Sequence, residues 1–307
     1  SAMMEWPIAE QITLDDLIDA NRLLVSCGAS IAEINAVRRA ISAIKGGRLA
    51  ALAPHATQLT LIISDTNPGD EASVASGPTI EPLADAPDAS AVVAGYTTLK
   101  DLPASILSAV NDRGAHARVH LKETALRKHY VLLDNRRALE AAALAARRYG
   151  LLTEIAYDLV EPRIEEGCAS LLSRLDDLRS QAALHQQPAC LISGGEFLCP
   201  VRGEGIGGRN AETVLRCAIE IDQQNKFREA RQVVVLSAGT DGIDGNSPAA
   251  GAIADETTLR RARSLHLDAR SFLDASDAFR FFSKLGDAIG TGTTGTNVRD
   301  VRLLLAR

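Results

Sequence analysis

The sequence predicts an α/β protein: two α/β domains with mostly parallel sheets facing a cleft. Three observations carry that expectation. From about residue 130 onward, short apolar runs alternate with helical patterns, as strand–helix units around a parallel sheet do. Several of those runs end in glycine- or aspartate-rich turns, where open α/β sheets bind ligands. The chain has 307 residues, enough for one large core or two modest ones. A long helical stretch ending at Gln187-Pro188 offers the boundary, giving domains over 1–187 and 188–307 with a small-substrate site in the cleft between them.

Each element has a local reason. Apolar spacing predicts a helix over 14–27, ended by Gly28. Ser30 and Glu33 form a capping box that opens a helix to about Ile44, stopped by Gly46-Gly47. Residues 59–64 read as a continuous apolar strand followed by a Pro-Gly turn between Asp65 and Asp70. The Pro-, Asp- and Ala-rich stretch 77–103 reads as a surface connection with little regular structure, before a helix over 101–112. Strands at 130–133, 153–157 and 189–192 then alternate with helices at 135–149 and 161–187, the latter with Leu171, Leu172, Leu175 and Leu178 on or near one stripe.

Composition excludes several function classes. A net charge of −6 argues against non-specific nucleic-acid binding, and 4% aromatic residues argue against a base-stacking or sugar-stacking surface. No apolar run reaches the roughly 18 residues a bilayer span needs, and the first residues do not read as a secretory signal, so a cytoplasmic location is expected. The five cysteines lack CxxC spacing and read as buried apolar residues rather than disulfides or a zinc site. His116 and His120 stand four apart without an HExxH pattern and read as surface or structural. No GxSxG elbow is present.

The chemistry concentrates between Ser193 and Gly245. Gly203, Gly205, Gly207 and Gly208 crowd one turn that opens into a helix near Arg209. Glycine costs backbone entropy, so such a turn suits a place where bare N–H groups approach an anion at a helix N-terminus. A second turn places Asp241 and Asp244 after an apolar strand over 232–237. An anion cradle facing paired carboxylates suggests phosphate plus metal chemistry. Two plainer readings stand beside it. The glycines could serve tight turns alone. Alternatively, Gly203-Glu-Gly-Ile-Gly-Gly208 fits the dinucleotide pattern, but the ribose acid it requires falls near Arg228 and Glu229, before the strand instead of after it. In the first half, Arg38, Lys45 and Arg48 could converge on an acidic ligand or simply stabilise a helix C-terminus. Asp65 and Asp70 fit a ligand site or an Asx-turn about equally.

Several segments together resemble the glycerate 2-kinases, whose C-terminal domain is called MOFRL and whose members are often named hydroxypyruvate reductases. They are 35–49, 63–65, 75–79, 135–140, the Ser193-Gly-Gly-Glu196 turn, Gly205–Asn210, 238–245 and Thr294–Asn297. Ala211, Asn246-Ser-Pro248 and Gly292-Thr-Thr-Gly295 depart from the family pattern without removing a charged group. So does the start: a Gly-Lys turn carried by about a hundred preceding family residues has no counterpart after Ser1-Ala2. The chain reads either as a fragment, expected to be a poor kinase with a less stable first domain, or as a genuine short variant of the family.

The resemblance implies ATP-dependent phosphorylation of D-glycerate at its 2-hydroxyl, with Mg²⁺. Arg209, Asp241, Asp244 and Lys45 are the implied catalytic residues. Asp241 and Asp244 would hold the metal or the attacking hydroxyl, with Glu196 as a further metal ligand or a turn cap. Arg209 would grip phosphate or the glycerate carboxylate as a bidentate fork. Lys45 and Arg48 would hold the second anionic group, Arg38 and Asp65 are further substrate-binding candidates, and Gly207, Gly208, Asn210, Thr296 and Asn297 would line the cradle. The implied partners are glycerate and a nucleotide, with no nucleic acid or membrane; homo-oligomerisation is left open. The rival readings are a nicotinamide-dependent hydroxypyruvate reductase and a catalytically incomplete remnant.

Overall fold

The computed structural model of the protein describes residues 5–112, 121, 127–223 and 232–307. Ser1-Ala2, His116, His120, Arg228 and Glu229 lie outside the described residues. The chain divides into two compact units, one over Ser1–Ile62 and Thr66–Leu132, the other over Ile63–Asp65 and Leu133–Arg307. The division therefore falls between Leu132 and Leu133, not at Gln187-Pro188. The physical reason is pairing and packing across that point, described below.

In the first unit, α1 (Leu14–Ser26) and α2 (Ile31–Ala40) both open with capping boxes, Thr13 with Asp16 and Ser30 with Glu33. Helix α2 stops at Ala40, short of Ile44. There the Ser42 hydroxyl accepts from the Lys45 and Ile44 N–H groups, and the Arg48 guanidinium occupies the Arg39 and Ser42 carbonyls. Side-chain bonds of this kind compete with continuing the helix. Gly46 and Gly47 follow at positive φ, then α3 (Arg48–Ala51). Strands β1 (Gln58–Ile63) and β2 (Arg127–Leu133) make a two-stranded sheet. The stretch expected to lack structure contains α4 (Ala89–Gly95), capped by Asp88, and a 3₁₀ turn over Thr97–Asp101. Val92, Val93 and Leu99 bury there, a signal hidden by the surrounding Pro and Asp. Helix α5 (Ala104–Asn111) starts only after Pro103, because the residue before a proline is held extended. Leu24, Val37, Val92, Leu99, Ile106 and Val110 share one core.

The second unit is a six-stranded sheet between helices. It uses β3 (Leu152–Ala156), β4 (Ala189–Ser193), β5 (Val233–Gly239), β6 (Gly251–Asp255), β7 (Ala288–Ile289) and β8 (Asp300–Ala306) in the order β3-β4-β8-β5-β6-β7. The α/β class stands. The strand pairing is mixed: β3–β4 is parallel, whereas β4–β8, β8–β5, β5–β6 and β6–β7 are antiparallel. Two of these pairs arise because β8, the last strand, inserts against the grain between β4 and β5, and the other two because β6 runs against both β5 and β7. The inward positions of β8 include Asp300 and Arg302 beside Leu304 and Ala306, so its sequence hides a central strand.

Helix α6 (Asn135–Arg148) covers one face of the sheet, burying Leu139 and Ala143 against Cys190 and Ile192. Helices α7 (Ile164–Leu184) and α8 (Arg209–Gln223) cover the other, with Leu171, Leu175, Val214 and Leu215 against Leu191, Val235 and Leu304. Since β3 pairs with β4 and α7 shares a core with α8, no boundary can pass between them at residue 187. Helices α9 (Thr258–Ser264), α10 (Ala269–Asp274) and α11 (Ala278–Leu285) complete that layer, Phe281 and Phe282 of α11 being fully buried. Of the cysteines, Cys168, Cys190 and Cys217 are buried, Cys27 and Cys199 half-buried, and all are free.

Candidate active site

The site is built where β4, β5 and β8 end on one side of α8. After β4 the chain turns at Gly194 and at Gly195, whose φ is +73°. A Cβ at Gly194 would strike the Asn135 side chain. Asn135 ties the turn to β8: its Oδ1 accepts from Gly195 N at 3.0 Å, and its Nδ2 donates to the Val298 and Asp300 carbonyls at 2.7 and 2.9 Å. The chain then runs through Glu196 and Phe197 to the glycine turn.

Those glycines are needed for close packing. A Cβ at Gly205 would meet Ala275 and Asp277, and one at Gly208 would meet Asp244. Several N–H groups of the turn and of the start of α8 have protein acceptors. Gly205 N donates to Ala275 O, Ile206 N to Asp277 Oδ1 at 2.7 Å, and Gly207 N to Asn246 Oδ1 at 2.8 Å. Asn210 N and Ala211 N donate to the two oxygens of Asp244 at 2.9 and 2.8 Å. Asp244 thus caps α8 from the neighbouring turn. Burial pushes its carboxyl up to about 6, against these two N–H bonds that favour the carboxylate.

Arg209, the first residue of α8, is held on two sides. Its Nε donates to Asp300 Oδ2 at 2.7 Å, and its Nη2 to Asp300 Oδ1 at 3.1 Å and Glu196 Oε1 at 2.6 Å. Burial alone would lower its pKa; the Asp300 hydrogen bond and charge, with Glu196, outweigh that and raise it. Burial raises the Glu196 carboxyl while Arg209 opposes the shift. Asp300 is fully buried and also accepts from Asn210 Nδ2 at 2.9 Å and Arg302 Nη2 at 3.1 Å. The Arg302 guanidinium lies 3.6 Å from the Phe197 ring centroid and donates to the Gly194 carbonyl. Sequence reasoning missed Asp300, Arg302, Asn135 and Phe197. The signal was the charge at alternate positions of the last apolar stretch.

The other expected residues have separate surroundings. Asp241 Oδ1 accepts from Ile243 N at 3.0 Å, an Asx-turn. Asn297 Oδ1 accepts from Arg299 N at 2.9 Å, and the Thr296 hydroxyl is buried without a partner among the described residues. Arg299 itself has φ +69°, uncommon for a residue with a side chain, and donates to the Asp65 carbonyl at 3.0 Å and Glu161 at 2.5 Å. The Asp65 charge also acts on Glu196. In the first unit, Lys45 is ion-paired with Glu5, Arg38 donates to Asn21 Oδ1, and Arg48 holds backbone carbonyls.

Glu196, Gly207, Gly208 and Arg209 come together around a pocket of about 470 Å³, with an apolar wall of Phe197, Leu198, Pro200 and Val201. Asp241, Thr296 and Asn297 do not line it. Among the described residues, no three His, Cys, Asp or Glu side chains are grouped to hold a metal ion. No helix of the described residues is long and apolar enough to cross a membrane.

Residues 189–300, which carry most of this arginine–carboxylate site, match the MOFRL family, and residues 1–111 match a family described as a domain of unknown function, DUF4147. The chain is 33% identical to a glycerate kinase of Danio rerio, covering 99% of this chain and 69% of that one. It is 31% identical to a D-glycerate 2-kinase of Thermotoga maritima, covering 98% of this chain and 69% of that one. Two Agrobacterium vitis proteins with a provisional hydroxypyruvate reductase name are each 35% identical, and the chain spans 65% of one and 77% of the other. The crystal structure of a Thermotoga maritima glycerate kinase superposes with a TM-score of 0.78 at 28% identity, covering 99% of this chain and 70% of that chain. The chain belongs to the glycerate 2-kinase family.

Proposed function

We propose that the protein transfers the terminal phosphoryl group of ATP to the 2-hydroxyl of D-glycerate, giving 2-phosphoglycerate. The observation that carries this reading is Arg209, held by Asp300 and Glu196 at the rim of the pocket with its Nη1 lacking a protein partner among the described residues. Phosphoryl transfer asks a protein mainly for positioning and charge neutralisation, and a planar guanidinium suits phosphate or carboxylate oxygens. The pocket volume is in the range of small-molecule sites. The names of the relatives support glycerate as substrate and a kinase reaction, and ATP as the donor is part of the proposal.

The carboxylates differ in their fitness for Mg²⁺. Both oxygens of Asp244 are taken by N–H groups, so its fitting role is to fix the start of α8. Glu196 neutralises Arg209. Asp241 keeps one oxygen without a partner among the described residues and is the carboxylate that would hold magnesium, which needs only one or two beside phosphate and water. When bound, that ion neutralises phosphate charge. Arg209 would orient the anionic group and stabilise the charge that develops on it, and the apolar wall would exclude water from it. Lys45 and Arg48 remain candidates for the second anionic group of the substrate, and Arg38 and Asp65 remain substrate-binding candidates.

The test measures ADP release with ATP, Mg²⁺ and D-glycerate beside NADH oxidation with hydroxypyruvate. ADP release without NADH oxidation is expected. Pyridine-nucleotide turnover without ADP release contradicts the kinase reading and favours the reductase name.

A further inference from the structure

We propose that Asp300 is the positioning residue that holds Arg209 with its Nη1 toward the pocket, an inference that rests on the phosphoryl-transfer reading above. Asp300 contributes no surface of its own and touches no pocket space; every contact it makes is with another protein group. A carboxylate offers about four acceptor positions, and here each is used. Oδ2 takes Arg209 Nε and Arg302 Nη2; Oδ1 takes Arg209 Nη2 and Asn210 Nδ2.

The two bonds to Arg209 form a fork that fixes the guanidinium plane. Turning that plane would break both bonds and leave a buried carboxylate short of partners, which is costly. The orientation left over places Nη2 on Glu196 and leaves Nη1 without a protein partner among the described residues. Arg209 lines the pocket, so this is the face available to a ligand.

Asp300 is itself fixed from behind. Arg302 is buried, stacked on Phe197 and bonded to the Gly194 carbonyl, so it cannot follow Asp300 if that side chain swings. Asn210, held by the Ser237 hydroxyl through its Oδ1, restrains the other oxygen. The backbone of Asp300 is pinned by Asn135 through its carbonyl. A chain of contacts thus runs from the β4 turn through β8 to one guanidinium.

The test is a double-mutant cycle in turnover, with Arg209→Lys, Asp300→Asn and the pair, run beside ¹⁵N-arginine NMR. Acting through Arg209, Asp300→Asn alone lowers kcat/KM by roughly 100-fold. In the Arg209→Lys background it lowers it by less than about threefold, because the group it positions is gone. Losses that multiply in the double variant overturn the proposal, since a merely structural Asp300 would weaken both backgrounds alike.

The NMR arm needs no turnover. In the wild type the Arg209 Nε–Hε resonance exchanges slowly with water compared with the exposed Arg22, and inorganic phosphate shifts the Arg209 guanidinium signals. Exchange as fast as that of Arg22, or no shift with phosphate, overturns the proposal. If Asp300→Asn does not fold, this arm decides. If the wild type releases no ADP, the kinase reading falls, and the exchange and phosphate results still judge Asp300.

Discussion

The carboxylate of Asp244 receives the backbone N–H of Ala211 at 2.8 Å, so a side chain from the turn after β5 caps a helix that begins more than thirty residues earlier. The same group receives Asn210 N, and together the two bonds satisfy donors that the first turn of α8 leaves open. Replacing Asp244 by Ala removes both acceptors in a buried place. The expected cost is about 2 kcal/mol, the range for a lost cap and unsatisfied N–H groups. Urea unfolding at pH 7 checks it; a change below a few tenths of a kcal/mol would show that the cap contributes nothing.

The same burial sets a pH dependence. With its folded pKa raised to about 6, above the usual carboxylate value, Asp244 holds its proton in the folded state after the unfolded chain has lost it. Its contribution is therefore full below about pH 4 and is lost as pH rises through about 6, a loss of about 3 kcal/mol at most. Asp244→Asn cannot titrate. The stability difference, wild type minus variant, should shrink between pH 4 and 6.5 in paired urea titrations. A difference that is flat or grows with pH contradicts the raised pKa.

Arg302 gives the strongest stability prediction. Truncating it to Ala leaves Asp300 short of one partner in a fully buried position and removes the stack on Phe197. Breaking a buried pair in this way costs roughly 3–5 kcal/mol. Thermal and urea unfolding should both move strongly, and a variant that melts with the wild type would mean the network is not formed.

The α/β class, the capping box at Ser30, most strand–helix alternation and the placing of Glu196 and Arg209 at one site were legible in the sequence, because each rests on local periodicity or a local motif. The mixed sheet was not. Strand β8 carries Asp300 and Arg302 on its inner face, so a burial rule based on apolar residues passes over it. The domain division was hidden for a related reason: Gln187-Pro188 is a turn between two elements of one core, and only long-range pairing reveals that. The glycine turn was read as open backbone for an anion. The N–H groups of Ile206, Gly207, Asn210 and Ala211 meet Asp277, Asn246 and Asp244, partners 33 to 71 positions away that no spacing rule connects. The alternative reading, that glycines serve close turns, describes Gly205 and Gly208 better.

Arg209 stands at the centre of the account, and Arg209→Lys tests it most directly, because charge is kept while the planar fork to Asp300 and the free Nη1 are lost. The measurement is kcat/KM for D-glycerate with saturating MgATP, taken with thermal melting of the same samples. The account predicts a loss of about 100-fold in kcat/KM, of the size seen when a charge-stabilising donor is removed, with a melting temperature lowered by only a few degrees. Turnover and melting both equal to wild type would contradict it, and would leave Arg209 as no more than the first residue of a helix.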